Sequence, residues 1–185
     1  MKKILLISIL LSTLVTANNI NKFVSSAKSQ VGKTLTYNPE YVQLSYPMGD
    51  IELSKGVCTD VVVRALRMLN IDLQVKIYKD KKAYPKRYHG LYYTNRLDPN
   101  IDHRRVKNIQ AYLIAKGYRA KGAFKAGDIV VWKLPTTPKE LDHIGICSHK
   151  KNAKGEPFII HNIGSGAKEE DVLRSYRIVD HFRIF

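Results

Sequence analysis

The stretch G-V-C-T-D-V-V-V-R-A-L-R-M-L, Gly56 to Leu69, carries one of the two cysteines in a chain of 185 residues. Val62, Ala65, Leu66 and Leu69 recur at i, i+3, i+4 and i+7, the spacing of one face of a helix. Cys58 lies four residues before Val62, so its sulfur sits over the first turn of that inward-facing stripe. A thiol there is either a small core residue or a group that the helix N-terminus, with its unpaired N–H groups and dipole, holds as a thiolate. Asp60, in the same turn, works modestly against ionisation by adding negative charge.

Working outward, the chain opens with M-K-K followed by the short apolar run Ile4 to Val15, interrupted by Ser8, Ser12 and Thr13, and a small residue at Ala17. That pattern reads as a secretory signal over residues 1–17 with one mature domain over 18–185; the run is too short to span a bilayer. The expected product is exported, to the periplasm or the medium, with no integral membrane segment. In an oxidising compartment Cys58 and Cys147 are a possible disulfide, the bland alternative to a retained reactive thiol. The charge of +15, two of it from Lys2 and Lys3, points to cell-wall polymers or membrane surfaces rather than nucleic acid for an exported protein. A solvated basic surface explains the charge equally well.

Asn18 to Lys33 has Ile20, Val24, Ala27 and Val31 on one side and reads as an amphipathic helix. Tyr37 to Lys55, with Pro39, Pro47 and Gly49, reads as an ordered loop. Leu73 to Ala83 is a possible helix inside the otherwise irregular, tyrosine-rich Ile71 to Arg105, and Val106 to Ala115 is helical in register. The C-terminal third changes to β-rich runs: D-I-V-V-W-K-L, H-I-G-I-C-S-H, P-F-I-I-H-N-I and Y-R-I-V-D-H-F-R-I. Asn152 and Gly155 mark a hairpin between the second and third. Helices first and an antiparallel sheet second define an α+β domain.

A cysteine nucleophile needs a base and a group to orient that base. In the second β run, His143, Gly145 and Cys147 share one face while Ile144 and Ile146 take the other. The hairpin makes His143 and His161 cross-strand neighbours, and a helix packed on that sheet brings Cys58 to them. A lone strand histidine is usually structural; a helix-start Cys followed by two strand histidines is more telling. The alternative use of the same side chains, a Cys-His-His zinc site, lacks the tight ligand spacing that such sites show.

G-V-C-T-D-V-V at a helix start, A-G-D-I-V-V-W, H-I-G-I and F-I-I-H together resemble the NlpC/p60 cell-wall cysteine peptidases of the papain superfamily. The resemblance implies a papain-like fold, Cys58 as nucleophile, His143 as base, His161 as the residue orienting it, a structural role for Gly127 and Asp128, and no cofactor or metal. Y-P-M-G-D, G-V-C-T-D-V-V-V-R-A, D-P-N-I-D-H-R-R-V-K-N and I-I-H-N-I-G-S-G resemble, more narrowly, the bacterial domain-of-unknown-function 1287 family. Val57-Cys58-Thr59 departs from the commoner Asp-Cys-Ser of the peptidases, and I-D-H-R-R-V-K-N is foreign to typical members.

The expected activity is hydrolysis of an amide bond in peptidoglycan or a muropeptide. An acyltransferase or thioesterase on the same triad, and a non-catalytic cell-wall-binding domain, are the rival readings. Asp50, Asp102, His103, Arg104 and Arg105 are the candidate substrate-binding residues. The arginines suit a substrate carboxylate, Asp50 suits a substrate amine, and a clamp holding a long loop to the domain accounts for Asp102 and its arginines equally well.

Overall fold

The computed structural model describes residues 2–91 and 96–185, with side chains from residue 14 onward. Tyr92 to Asn95, in the irregular tyrosine-rich stretch, lie outside the described residues. The elements run α1 (Lys2–Lys28), β1 (Thr36–Tyr37), β2 (Lys55–Gly56), α2 (Cys58–Arg67), α3 (Leu73–Ala83), two 3-10 turns (Pro85–Tyr88 and Asp102–Arg104) and α4 (Val106–Ala115). Five strands follow: β3 (Ile129–Leu134), β4 (Leu141–Lys151), β5 (Pro157–Asn162), β6 (Ala167–Glu170) and β7 (Arg177–Phe182). They form one antiparallel sheet in the order β6-β5-β4-β3-β7. The class is α+β, with the helical half first.

The alternation in the strands sorts the core into two layers. Ile129, Val131, Ile144, Ile146 and Ile160 face the helices and join Phe23, Val61, Val62, Leu66 and Ile109 in the larger cluster. Val130, Trp132, Cys147 and Ile159 face the other way and pack with Leu173. Cys58 belongs to the first layer and Cys147 to the second, and both thiols are free. The sheet separates the two cysteines, so the disulfide alternative does not fit this fold.

α1 differs from its expectation at both ends. It runs through Ala17 without a break and stops at Lys28, five residues before the expected Lys33. Phe23, Val24 and Ala27 are buried as an amphipathic face should be, but Val31 falls in the turn beyond the helix and is exposed. Gln30 goes inward instead and donates from Nε2 to the Val61 carbonyl at 3.0 Å. Among the described residues no helix is long and apolar enough to cross a membrane.

Strand β6, sequence A-K-E-E, carries no apolar run to announce it. It is a short charged strand at the sheet edge, where charge discourages further pairing. Its first residue donates from Ala167 N–H to the Thr34 carbonyl at 2.8 Å, tying the edge to the segment that leads into β1.

Among the described residues, the core contacts of α1 begin beyond Ala17. A chain starting at Asn18 is expected to keep its thermal midpoint. Phe23→Ala, which empties a fully buried ring site packed edge-on against Phe185, should cost about 3–5 kcal/mol. Thermal unfolding of the shortened chain checks the first outcome, and urea unfolding of Phe23→Ala the second.

Candidate active site

Cys58 is the first residue of α2. The preceding turn is closed by Asp60, whose carboxylate accepts from the Val57 N–H at 2.7 Å. Asp60 is itself held by Arg104, with Nε and Nη2 at 3.0 Å from its two oxygens, and both side chains are almost wholly enclosed (4% and 2% exposed). Thr59 donates its hydroxyl to the Arg104 carbonyl at 3.0 Å, which gives the Cys-Thr pairing a structural reason. Asn162, the last residue of β5, donates to the Gly56 and Thr36 carbonyls at 3.0 and 3.3 Å, and so ties the sheet to the residues just before Cys58 and Tyr37.

The two histidines meet as the hairpin reading expects. His143 Nε2 and His161 Nδ1 are 2.8 Å apart, with both side chains buried. Gly145 makes room for them: a Cβ there would lie 2.7 Å from Ile159 Cγ2 and 3.1 Å from His161 Cβ. On its far side His161 Nε2 lies 3.0 Å from Glu170 Oε2 on β6.

α2 packs on the isoleucine face of the sheet, while His143 and His161 belong to the other face. Cys58 reaches the sheet at the backbone: the Ile144 N–H, one residue from His143, faces its sulfur, as do the N–H groups of Cys58 and Thr59. Among the described residues no hydrogen bond joins the sulfur to the His143 ring. Cys58 is 4% exposed, at the bottom of a cleft of about 300 Å³ whose walls include Tyr37, Tyr41, Arg104, Arg105 and Asp142. A larger cleft of about 590 Å³, between α4 and the strands, is lined by Arg87, Leu91, Lys107, Gln110 and Asp142 and contains no nucleophile, so size does not mark the site.

Electrostatically the site differs from the expected thiolate. Burial, followed by the Asp60 charge, pushes the Cys58 thiol up to about 12, although the three N–H groups oppose the shift. Burial and the neighbouring His161 push His143 down to about 3. At rest the thiol and the imidazole are therefore both neutral. His161 is lowered by burial, with Glu170 opposing the shift.

The candidate substrate-binding residues separate. Asp50 is clamped by Arg64 on α2, at 2.8 and 3.0 Å, and does not line the Cys58 cleft. Asp102 is buried, accepting from Lys81 at 2.7 Å and from the Asp98 N–H at 2.9 Å. His103 is buried with its Nδ1 unpartnered among the described residues, and burial, with Arg67 nearby, lowers it to about 4. Arg104 grips Asp60 and also reaches the Glu40 and Asn38 carbonyls at 3.3 and 3.2 Å. Of the five, only Arg104 and Arg105 line the cleft, and Arg104 is committed to the clamp.

Tyr37 escaped sequence reasoning. Its hydroxyl lies against the Cys58 sulfur, and burial together with that sulfur and Asp60 raises its pKa, keeping the phenol protonated as a donor. It is one of the chain's eleven tyrosines, in a segment whose sequence reads as loop.

The arginines should respond differently to truncation. Arg104→Ala leaves Asp60 charged and buried and is expected to cost about 3–5 kcal/mol, whereas Arg105→Ala, on an exposed side chain, should cost no more than about 1 kcal/mol. Acid should also destabilise the fold. His103, His143 and His161 all lie below the ordinary 6.5, so below that pH the unfolded chain takes up protons that the folded chain refuses. Their stabilising contribution is complete above 6.5 and is lost progressively as pH falls toward about 3. Tm should drop between pH 7.5 and 5, above the titration range of the carboxylates, and a flat Tm there would contradict three buried neutral imidazoles.

The chain matches the domain family described as "Domain of unknown function (DUF1287)" over residues 24–184. It is 42% identical over 174 residues to "Uncharacterized protein YijF" of Escherichia coli (strain K12), a match covering 91% of this chain and 83% of that protein. No solved structure matches. With a family match from the last turns of α1 to residue 184, the chain belongs to the DUF1287 family.

Proposed function

We propose that this protein is an exported cysteine hydrolase with a papain-like, NlpC/p60-type arrangement, cleaving an amide bond in peptidoglycan through Cys58, His143 and His161. The observation that carries the reading is the 2.8 Å contact between two buried histidines, one of them a single residue from the strand N–H that faces the helix-start thiol. Nothing in a core demands two buried imidazoles in series; a base with its orienting partner does. Export rests on the N-terminal pattern of two lysines, a short apolar run and Ala17.

The chemistry follows from a neutral resting pair. With Nε2 of His143 engaged by His161, Nδ1 takes the thiol proton as the Cys58 sulfur attacks the amide carbonyl carbon. The carbonyl oxygen gains the charge and is met by the Cys58 N–H and the Tyr37 hydroxyl, a protonated donor facing the sulfur. The C–N bond breaks as the protonated His143 passes its proton to the leaving amine. The remaining thioester is hydrolysed by water that gives its proton to His143, restoring thiol and acid. Arg105, on the wall of the cleft, supplies positive charge for a carboxylate next to the scissile bond.

Digestion of purified muropeptides, with products identified by mass, tests this reading. Cys58→Ala should abolish turnover, and His143→Ala should lower kcat by about 10²–10⁴. His161→Asn, which keeps a polar orienting group, should retain more activity than His161→Ala. Tyr37→Phe should lower kcat by about tenfold or more with KM little changed. Full activity in Cys58→Ala sinks the proposal. Transfer of the acyl group to an added amine in preference to water would turn it into an acyltransferase.

A further inference from the structure

We propose that Glu170 is a positioning residue that selects the productive proton arrangement of the two histidines. This rests on the hydrolase reading above and extends it to a fourth side chain. Each neutral imidazole carries one N–H, on either nitrogen, and the 2.8 Å contact between His143 Nε2 and His161 Nδ1 needs one proton between them. If His143 Nε2 holds it, Nδ1 is bare and able to take the thiol proton. If His161 Nδ1 holds it, His143 must carry its own proton on Nδ1, and that ring has no bare nitrogen left to take the thiol proton. The His143–His161 contact alone does not distinguish the two.

Glu170 breaks the tie. As a carboxylate it only accepts hydrogen bonds, and its Oε2 lies 3.0 Å from His161 Nε2. His161 is therefore the Nε2–H form, its Nδ1 is an acceptor, and His143 must donate from Nε2. When His143 later holds the thiol proton, the same carboxylate faces the positive charge that is shared along the pair. Lys168, opposite His161 across β5 and β6, is the charge that works against it. The carboxylate comes from an edge strand and is 38% exposed, so its removal disturbs no packed core.

The test reads tautomers and rates separately. Two-bond ¹H–¹⁵N correlations of the histidine rings at pH 7.5 should show both His143 and His161 as Nε2–H in the parent protein. In Glu170→Ala the His161 signal should move toward the other tautomer, kcat on muropeptides should fall about tenfold, and KM and Tm should hold. Glu170→Gln, whose amide oxygen still accepts, should recover part of the rate and the parent tautomers. Unchanged tautomers and unchanged kcat in Glu170→Ala would overturn the assignment while leaving the hydrolase reading intact. Cys58→Ala and His143→Ala proteins as active as the parent would instead overturn that reading, with the ring spectra still deciding what Glu170 does.

Discussion

The buried pair of Asp60 and Arg104 is the constraint on which the cleft depends. Asp60 closes the turn into α2 through the Val57 N–H, and Arg104 spends its remaining donors on the carbonyls of Asn38 and Glu40. One ion pair thereby registers three segments that are distant in sequence: the start of α2, the strand carrying Tyr37, and the turn carrying Arg105. Such a pair adds little net stability, because desolvating two charges offsets most of their attraction. Its value is geometric, since a planar guanidinium satisfied on several sides admits one arrangement of its partners. Asn162 does the same from the sheet, so the cleft is assembled by buried polar bonds between backbone segments rather than by apolar contact.

Burial, rather than the helix, sets the ionisation of the site. A helix N-terminus is worth about 0.3–1 kcal/mol to a nearby anion, and up to about 2 in favourable partly buried geometry. Full burial of an ionisable group works against the charge by roughly 4 kcal/mol or more. The larger effect wins, which is why Cys58 rises to about 12 and His143 falls to about 3. A site with these values holds its proton on the Cys58 sulfur at rest. On the hydrolase reading proposed above, proton transfer and attack are coupled, and the N–H groups around the sulfur serve the transition state more than the resting thiol.

What was legible in the sequence was local. The 3.6-residue period of the Cys58 helix, the alternation through Ile144 and Ile146, and the hairpin that joins β4 to β5 all express themselves within a dozen residues, and each stands in the structure. Partners in the folded core did not show. Nothing about Arg104 points to Asp60, 44 residues earlier, and nothing in a run of Asp, His, Arg and Arg says that neighbouring residues divide into clamp and cleft wall. Strand β6 was invisible because an edge strand of Lys and Glu looks like solvent-facing loop, and Glu170 was hidden with it. Tyr37 needed the two-residue pairing of β1 with β2 to bring it to the sulfur.

The spacing of His143 and Gly145 is a single device, and the register explains it. Continuing the pairing of Ile146 with Ile160 along β4 and β5 sets Gly145 opposite His161 and leaves His143 on the diagonal. Diagonal neighbours stand about 7–8 Å apart, within reach of a ring only if nothing fills the space between. Any side chain at 145 would fill it, meeting Ile159 and His161 at distances that force the strands apart. The glycine is thus needed for what it lacks: its empty position lets one imidazole lean across to the other, while the helix on the opposite face is unaffected. The isoleucines on either side of Gly145 hold the sheet to α2, so one five-residue run, His143 to Cys147, both anchors that helix and clears the path between the two histidines.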